Sequence, residues 1–141
     1  MLCGTYHAAR MLKGVVLSTD NLSECWMAFW TLHGDVGDFG IIHNLMKGLE
    51  LYDVARYLGV PEEIIAAKPD DGLGVAEGDE DQIGAAYPAV DKIMAKLIQA
   101  GFDPDGEIYQ LENLPDIGMQ KEPVLKIAVL CCGTVLYIHK S

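Results

Sequence analysis

Thr19 and Glu24 stand on either side of what reads as a strand-to-helix turn, Ser18-Thr19-Asp20-Asn21-Leu22-Ser23-Glu24. A hydroxyl at such a turn can bond a phosphate or an adenine edge. A carboxylate one turn into the helix can face the same space and hold Mg²⁺, which favours oxygen ligands shared with substrate phosphates. The same residues also read as a helix cap, with Asp20 or Asn21 closing the first turn beside Ser23-Glu24, and spacing alone favours the cap. Asp35 and Asp38 flank Gly37, where the backbone can approach a ligand closely and carboxylates can accept bonds from ribose or amide groups. An ordinary glycine-rich turn is the plainer reading of that segment. His33 lies beside it and is placed to contact a ligand or to make a structural hydrogen bond. Lys47 can reach a phosphate, although most helix-surface lysines are simply solvated.

Other patterns carry less. Gly72-Leu73-Gly74-Val75-Ala76-Glu77-Gly78 lacks the spacing and the preceding strand of a dinucleotide fingerprint. Asp103-Pro104-Asp105-Gly106 places its glycine too early for a calcium loop. His7, His33, His43 and His139 show no metal-ligand spacing, and no Gly-x-Ser-x-Gly elbow supplies a nucleophile.

The elements that must position these groups follow from pattern. Residues 6–13 read as the tail of a helix. Gly14-Val15-Val16-Leu17-Ser18 is short and rich in β-branched residues, which predicts a buried strand. Residues 44–58 predict an amphipathic helix lined by Leu45, Leu49, Tyr52, Ala55 and Leu58, stopped by Gly59. Pro61-Glu62-Glu63 starts a short turn with Ile64 and Ile65 directed inward. Residues 68–81 predict a long acidic loop, a length that is often functional. Residues 88–100 predict a helix with Val90, Ile93, Met94, Leu97 and Ile98 on its apolar face, ended by Gly101. Residues 102–123 lack periodicity. Residues 125–130 are taken as a second strand, although the surrounding apolar segment, 124–138, reads as a core strand or helix. The aromatics Trp26, Phe29 and Trp30 predict either a subunit interface or, more plainly, a helix face packed on the sheet.

The bulk properties set limits. A chain of 141 residues with 50% hydrophobic content can build a real core. Its net charge of -11 argues against nucleic-acid binding, which needs basic residues to neutralise phosphates. A small phosphorylated ligand remains compatible, because backbone N–H groups or a cation offset the charge locally. The 4 cysteines form no Cys-x-x-Cys pair, which predicts a reduced, cytoplasmic setting. Arg10 and Lys13 interrupt any secretory leader, and residues 124–138 are too short to span a membrane.

Taken in order, several segments resemble the NAD synthetase family of ATP pyrophosphatases. Val16-Leu17-Ser18-Thr19-Asp20-Asn21-Leu22-Ser23-Glu24 resembles its strand-turn segment, and Phe29-Trp30-Thr31-Leu32-His33-Gly34-Asp35-Val36-Gly37-Asp38 its glycine-aspartate loop. Leu45-Met46-Lys47 and Leu58-Gly59-Val60-Pro61-Glu62-Glu63-Ile64-Ile65 resemble the next helix start and turn. Lys68-Pro69-Asp70-Asp71-Gly72-Leu73, Gly78-Asp79-Glu80-Asp81-Gln82-Ile83-Gly84 and Tyr87 resemble the mobile loop and its anchor. Leu32 stands where the family has a lysine, and Asp70 where it commonly has a hydroxyl.

The resemblance implies a helix-rich α/β fold, part of a Rossmann-like parallel-sheet domain of the adenine nucleotide alpha hydrolase type. It covers residues 1–102 as the carboxyl-terminal part of a catalytic domain, with 103–141 a divergent tail packed on it. Such enzymes use ATP and Mg²⁺ to adenylylate deamido-NAD, release pyrophosphate and let ammonia displace AMP, giving NAD. By the resemblance, Thr19 and Lys47 contact ATP and Glu24 ligands Mg²⁺. Asp38 holds deamido-NAD, with Asp35 and His33 close by, and Asp70, Asp79 and Glu80 belong to the lid loop. The family's Ser-Gly-Gly phosphate loop does not occur in these residues. The expectation is therefore that the isolated chain is inactive and acts as a homodimer or with a partner chain supplying that loop. A non-catalytic accessory nucleotide-binding subunit and another type of ATP pyrophosphatase are the alternatives.

Overall fold

The computed structural model describes residues 2–29, 37–69, 78–103 and 108–138. Helix α1 (Leu2–Leu12) leads into strand β1 (Leu17–Ser18), helix α2 (Leu22–Met27) and strand β2 (Phe39–Gly40). A π-helical turn (Lys47–Leu51) runs directly into α3 (Tyr52–Tyr57), followed by α4 (Glu62–Ile65), α5 (Asp79–Ile83) and α6 (Tyr87–Gln99). A 3₁₀ turn (Ile108–Asn113) and the long α7 (Lys121–Ile138) complete the order. The result is a helix-rich α/β fold with a small parallel sheet.

The predicted strand forms, but over only two residues, and its parallel partner is β2, with Leu17 opposite Phe39 and Ser18 opposite Gly40. The N–H groups of Asp38 and Phe39 both donate to Val16 O, and the Asp38 carboxylate accepts from Val16 N at 2.9 Å. Gly37 makes this approach possible: a Cβ there would sit 2.8 Å from Leu17 C and Val16 O. Beyond the strand end, Ser18 Oγ lies 3.0 Å from His43 Nε2. Val16 and Ser18 are buried, whereas Leu17 and Phe39 on the other side are exposed.

The core lies among the helices. Met27 of α2, Ile83 of α5, Tyr87, Val90, Ile93, Met94 and Leu97 of α6, and Val124, Ile127, Ala128 and Cys131 of α7 form one cluster with Phe102. Trp26 and Phe29 pack against this helical cluster, which contains no strand residue, and not on the sheet as expected; Trp30 lies outside the described residues. Cys25 and Cys131 take part in no disulfide among the described residues. Among the described residues, no helix is long and apolar enough to cross a membrane.

Several expectations are corrected. Residues 125–130 are helical, not a strand: Val124, Ile127, Ala128 and Cys131 recur at helical steps and bury one face of α7. The helix expected over 44–58 starts only at Lys47, as a π-turn. Met46 is extended, and Leu45 O is taken by Leu22 N at 3.0 Å, so the helical ladder cannot begin earlier. Its apolar stripe is half-buried at best, and Leu58 is exposed. On α4 only Ile65 turns inward, while Ile64 is exposed, as is expected of adjacent helical residues about 100° apart. Ile98, at the edge of the α6 face, is also exposed.

Candidate functional site

Asn21 and Glu24 build a capping box at the start of α2. Asn21 Oδ1 accepts from Glu24 N at 3.1 Å, and Glu24 Oε2 accepts from Asn21 N at 3.2 Å. These bonds hold the Glu24 side chain at the carboxyl end of β1, where open α/β sheets bind ligands. The cap and the binding reading therefore describe one arrangement. Glu24 Oε1 remains directed at Lys47, whose Nζ donates to it at 2.7 Å. Both side chains are largely shielded from solvent, at 13% exposure for Lys47 and 16% for Glu24. Shielding strengthens the attraction relative to a surface pair.

The underside of Lys47 is set by α6. Its ammonium lies 4.4 Å from the centroid of the Tyr87 ring, a cation–π geometry. One turn further along α6, the buried Asp91 accepts from Ser23 Oγ and from Gly48 N, each at 2.6 Å. Ser23 Oγ in turn accepts from Lys47 N at 2.8 Å. Burial raises the Asp91 carboxyl above the usual carboxylate range, and its bonds from Ser23, Gly48 and Leu49 oppose that rise. Gly48 is required here because a Cβ would run into the backbone of Pro88 and Tyr87.

Tyr87 also reaches the acidic helix α5. Its N–H donates to Glu80 Oε1 at 2.8 Å and its hydroxyl to Asp79 Oδ2 at 3.4 Å. Asp79 N donates to Pro69 O at 3.2 Å, so residues 69 and 79 meet at one neck. Lys68 and Asp81 reinforce the neck with an exposed ion pair at 2.7 Å. Burial, then the carboxylates of Asp79 and Glu24, push the Tyr87 phenol far up.

That shift has a testable sign. The unfolded chain ionises its tyrosines near pH ~10, while folded Tyr87 keeps its proton. Stability is therefore complete below that pH and falls as pH rises beyond it. Tyr87→Phe is expected to cost about 1 kcal/mol at neutral pH through the lost hydroxyl bond. It should also flatten the alkaline decline. Urea unfolding at neutral and alkaline pH checks both effects, and an unchanged alkaline slope would contradict the assignment.

Of the residues expected at the site, Glu24 and Lys47 are brought together, and Asp79 and Glu80 join them through Tyr87. Thr19 is exposed just past the carboxyl end of β1. Asp38 is bonded to Val16 at the opposite, amino end of the strand pair and not to Lys47. His33, Asp35 and Asp70 lie outside the described residues. Asp91 was missed by sequence reasoning. Its signal was an acid placed among Tyr87, Val90 and Met94 on the apolar face of α6, where a charge must find buried partners.

Among the described residues, no three acidic, histidine or cysteine side chains converge as a metal cluster. Glu24 alone suits a Mg²⁺ ion that takes one or two carboxylates and completes its shell with phosphates and water. A separate cleft of about 580 Å³ lies between the 3₁₀ turn and α7, lined by Leu111, Leu114, Ile117, Met119 and Val124, and none of the expected site residues lines it.

Comparison with known proteins adds to this geometry. The chain is 39% identical over 104 residues to an NH(3)-dependent NAD(+) synthetase of Thermoplasma volcanium, an alignment covering 71% of the chain and 43% of that relative. It is 34% identical over 126 residues to one of Pyrococcus horikoshii, covering 89% of the chain and 46% of the relative. The chain thus spans under half the length of these curated relatives. The solved structure of NMN synthetase from Francisella tularensis matches the fold with a TM-score of 0.69 at 24% identity, over 94% of this chain and 47% of that one. The NAD synthase family model matches residues 1–126, which takes in the capping box, the Lys47 turn, the acidic neck and α6, and the chain belongs to that family.

Proposed function

We propose that this chain supplies the metal- and nucleotide-facing part of an enzyme that amidates deamido-NAD to NAD with ATP and ammonia. The observation that carries the reading is the Glu24–Lys47 pair. An acid and a base far apart in sequence meet at 2.7 Å at the carboxyl end of β1, in a chain of the NAD synthase family.

In this reading Lys47 exchanges Glu24 Oε1 for a phosphate oxygen of ATP, and Thr19 adds a hydroxyl bond from the strand end. Glu24, released from Lys47, would hold Mg²⁺ through a carboxylate oxygen, and the ion would supply neutralising charge for the separating phosphates. Asp38 faces deamido-NAD. One of its oxygens holds Val16, and an ionised carboxylate has acceptor capacity beyond that bond. His33 and Asp35 join it in binding deamido-NAD. Asp70, Asp79 and Glu80 frame a lid that keeps water from the adenylate. The nicotinate carboxylate oxygen attacks the α-phosphorus of ATP and pyrophosphate leaves. Ammonia then attacks the acyl carbon, AMP leaves, and the nitrogen loses a proton. The protein works with a second copy or a partner chain.

Because both Glu24 oxygens are already engaged, Mg²⁺ alone is expected to bind very weakly and MgATP measurably. Calorimetric titration of the full chain with Mg²⁺, ATP and MgATP checks this. Equal affinity for ATP with and without Mg²⁺ would remove Glu24 from its metal role. Titration with deamido-NAD against other carboxylate acceptors tests the substrate. ATP–pyrophosphate exchange by residues 1–141 alone is expected to stay at background, since these residues contain no Ser-Gly-Gly phosphate loop.

A further inference from the structure

Asp91 has no part in the chemistry above, yet it is fully buried. A carboxylate in such a place is costly unless several donors meet it. Here the donors come from two different elements. Ser23 of α2, immediately before Glu24, gives its hydroxyl at 2.6 Å, and Gly48, immediately after Lys47, gives its N–H at 2.6 Å. Leu49 N–H adds a further bond. The circle is closed by Lys47 N donating to Ser23 Oγ at 2.8 Å. An apolar side chain of the same volume could fill the space, but it could not tie the neighbours of both Glu24 and Lys47 to one point.

We propose that Asp91 is a positioning residue for the Glu24–Lys47 pair: through Ser23 and the Gly48 amide it fixes both backbones, so that the Lys47 ammonium stands over the Tyr87 ring, facing Glu24. Tyr87 and Asp91 are one turn apart on the same face of α6, so a single helix sets both the height and the lateral position of the ammonium. The Asp91 bonds also satisfy first-turn amides that have no acceptor within their own helix. Amides 48 and 49 donate to the carboxylate, and the next two, Glu50 N and Leu51 N, share Met46 O at 3.0 and 2.9 Å.

The test has two readouts, of which only the second rests on the nucleotide reading given above. Protons near the face of an aromatic ring are shifted upfield, so the Lys47 ε-methylene protons report whether the side chain lies over Tyr87. Asp91→Asn keeps the volume but removes the charge and one of the two acceptor oxygens that Ser23 and Gly48 use. In folded D91N that upfield shift is expected to vanish while the rest of the spectrum stays dispersed, and a shift that persists overturns the proposal. In the second readout, D91N is expected to weaken MgATP binding about tenfold, and to have no further effect in a Lys47→Ala background. An equal loss in both backgrounds marks a generic packing role and overturns the proposal. Should the wild-type chain bind no MgATP, the nucleotide reading fails and the ring shift alone decides. If D91N does not fold, Ser23→Ala removes only the bridging hydroxyl. It is expected to displace Lys47 in the same way, and an unaltered ring shift in S23A overturns the proposal.

Discussion

Gly48→Ala is expected to lower the thermal midpoint by roughly 10 °C, from about 3 kcal/mol of overpacking. The added Cβ would meet the backbone of Pro88 and Tyr87 at the start of α6. A clashing side chain can rotate away, but a backbone at the head of a packed helix cannot. The two segments must separate, and the Gly48–Asp91 bond and the position of Lys47 go with them. Thermal melts followed by circular dichroism give the answer. Gly4→Ala is the control, since nothing lies within 4 Å of that position and alanine favours the helix that contains it. A G48A melt that coincides with that of the unaltered protein would show that the contact between the π-turn and α6 is loose.

Glu24→Gln is expected to reduce MgATP affinity on the order of 100-fold while costing only about 1–2 kcal/mol of stability. The two effects separate because Glu24 has two functions on different oxygens. Oε2 closes the capping box with Asn21, and a glutamine carbonyl can still do so. Oε1 carries the charge that faces Lys47 and, in the reading above, the metal. The glutamine amide would place a donor beside the ammonium, so Lys47 would lose its partner and Mg²⁺ its carboxylate. Calorimetry with and without Mg²⁺, alongside melts, resolves the two effects. An E24Q protein with full MgATP affinity would reduce Glu24 to a helix cap.

Local chemistry was legible where it depends on neighbours in the chain. The Asn21–Glu24 cap, the stop at Gly59 and the Val90, Ile93, Met94 and Leu97 face of α6 all follow from short-range spacing. The segment 125–130 was misread because valine and isoleucine suggested a strand, while the step from Val124 to Ile127 and Cys131 already had the helical period. Strand β2 could not be read, since two residues carry no periodicity and Phe39 pairs only because Asp38 and Gly37 fasten it to Val16. At the site, residue types were visible but partnership was not. Nothing in the spacing of Glu24 and Lys47 announces a 2.7 Å contact, because Ser23, Gly48 and Asp91 create it from three separate elements.

The neck formed by Pro69, Gly78 and Asp79 bears on how this region can vary. Its two sides are joined by a backbone bond and a tight glycine approach, and the helices beyond it are anchored independently through Tyr87. Lengthening what hangs from such a junction adds little closure entropy, about 0.6 kcal/mol for each doubling. Insertions and deletions there can accumulate over evolution without disturbing Lys47, so residues 70–77 are free to diverge in size and composition while α5 and α6 stay in register.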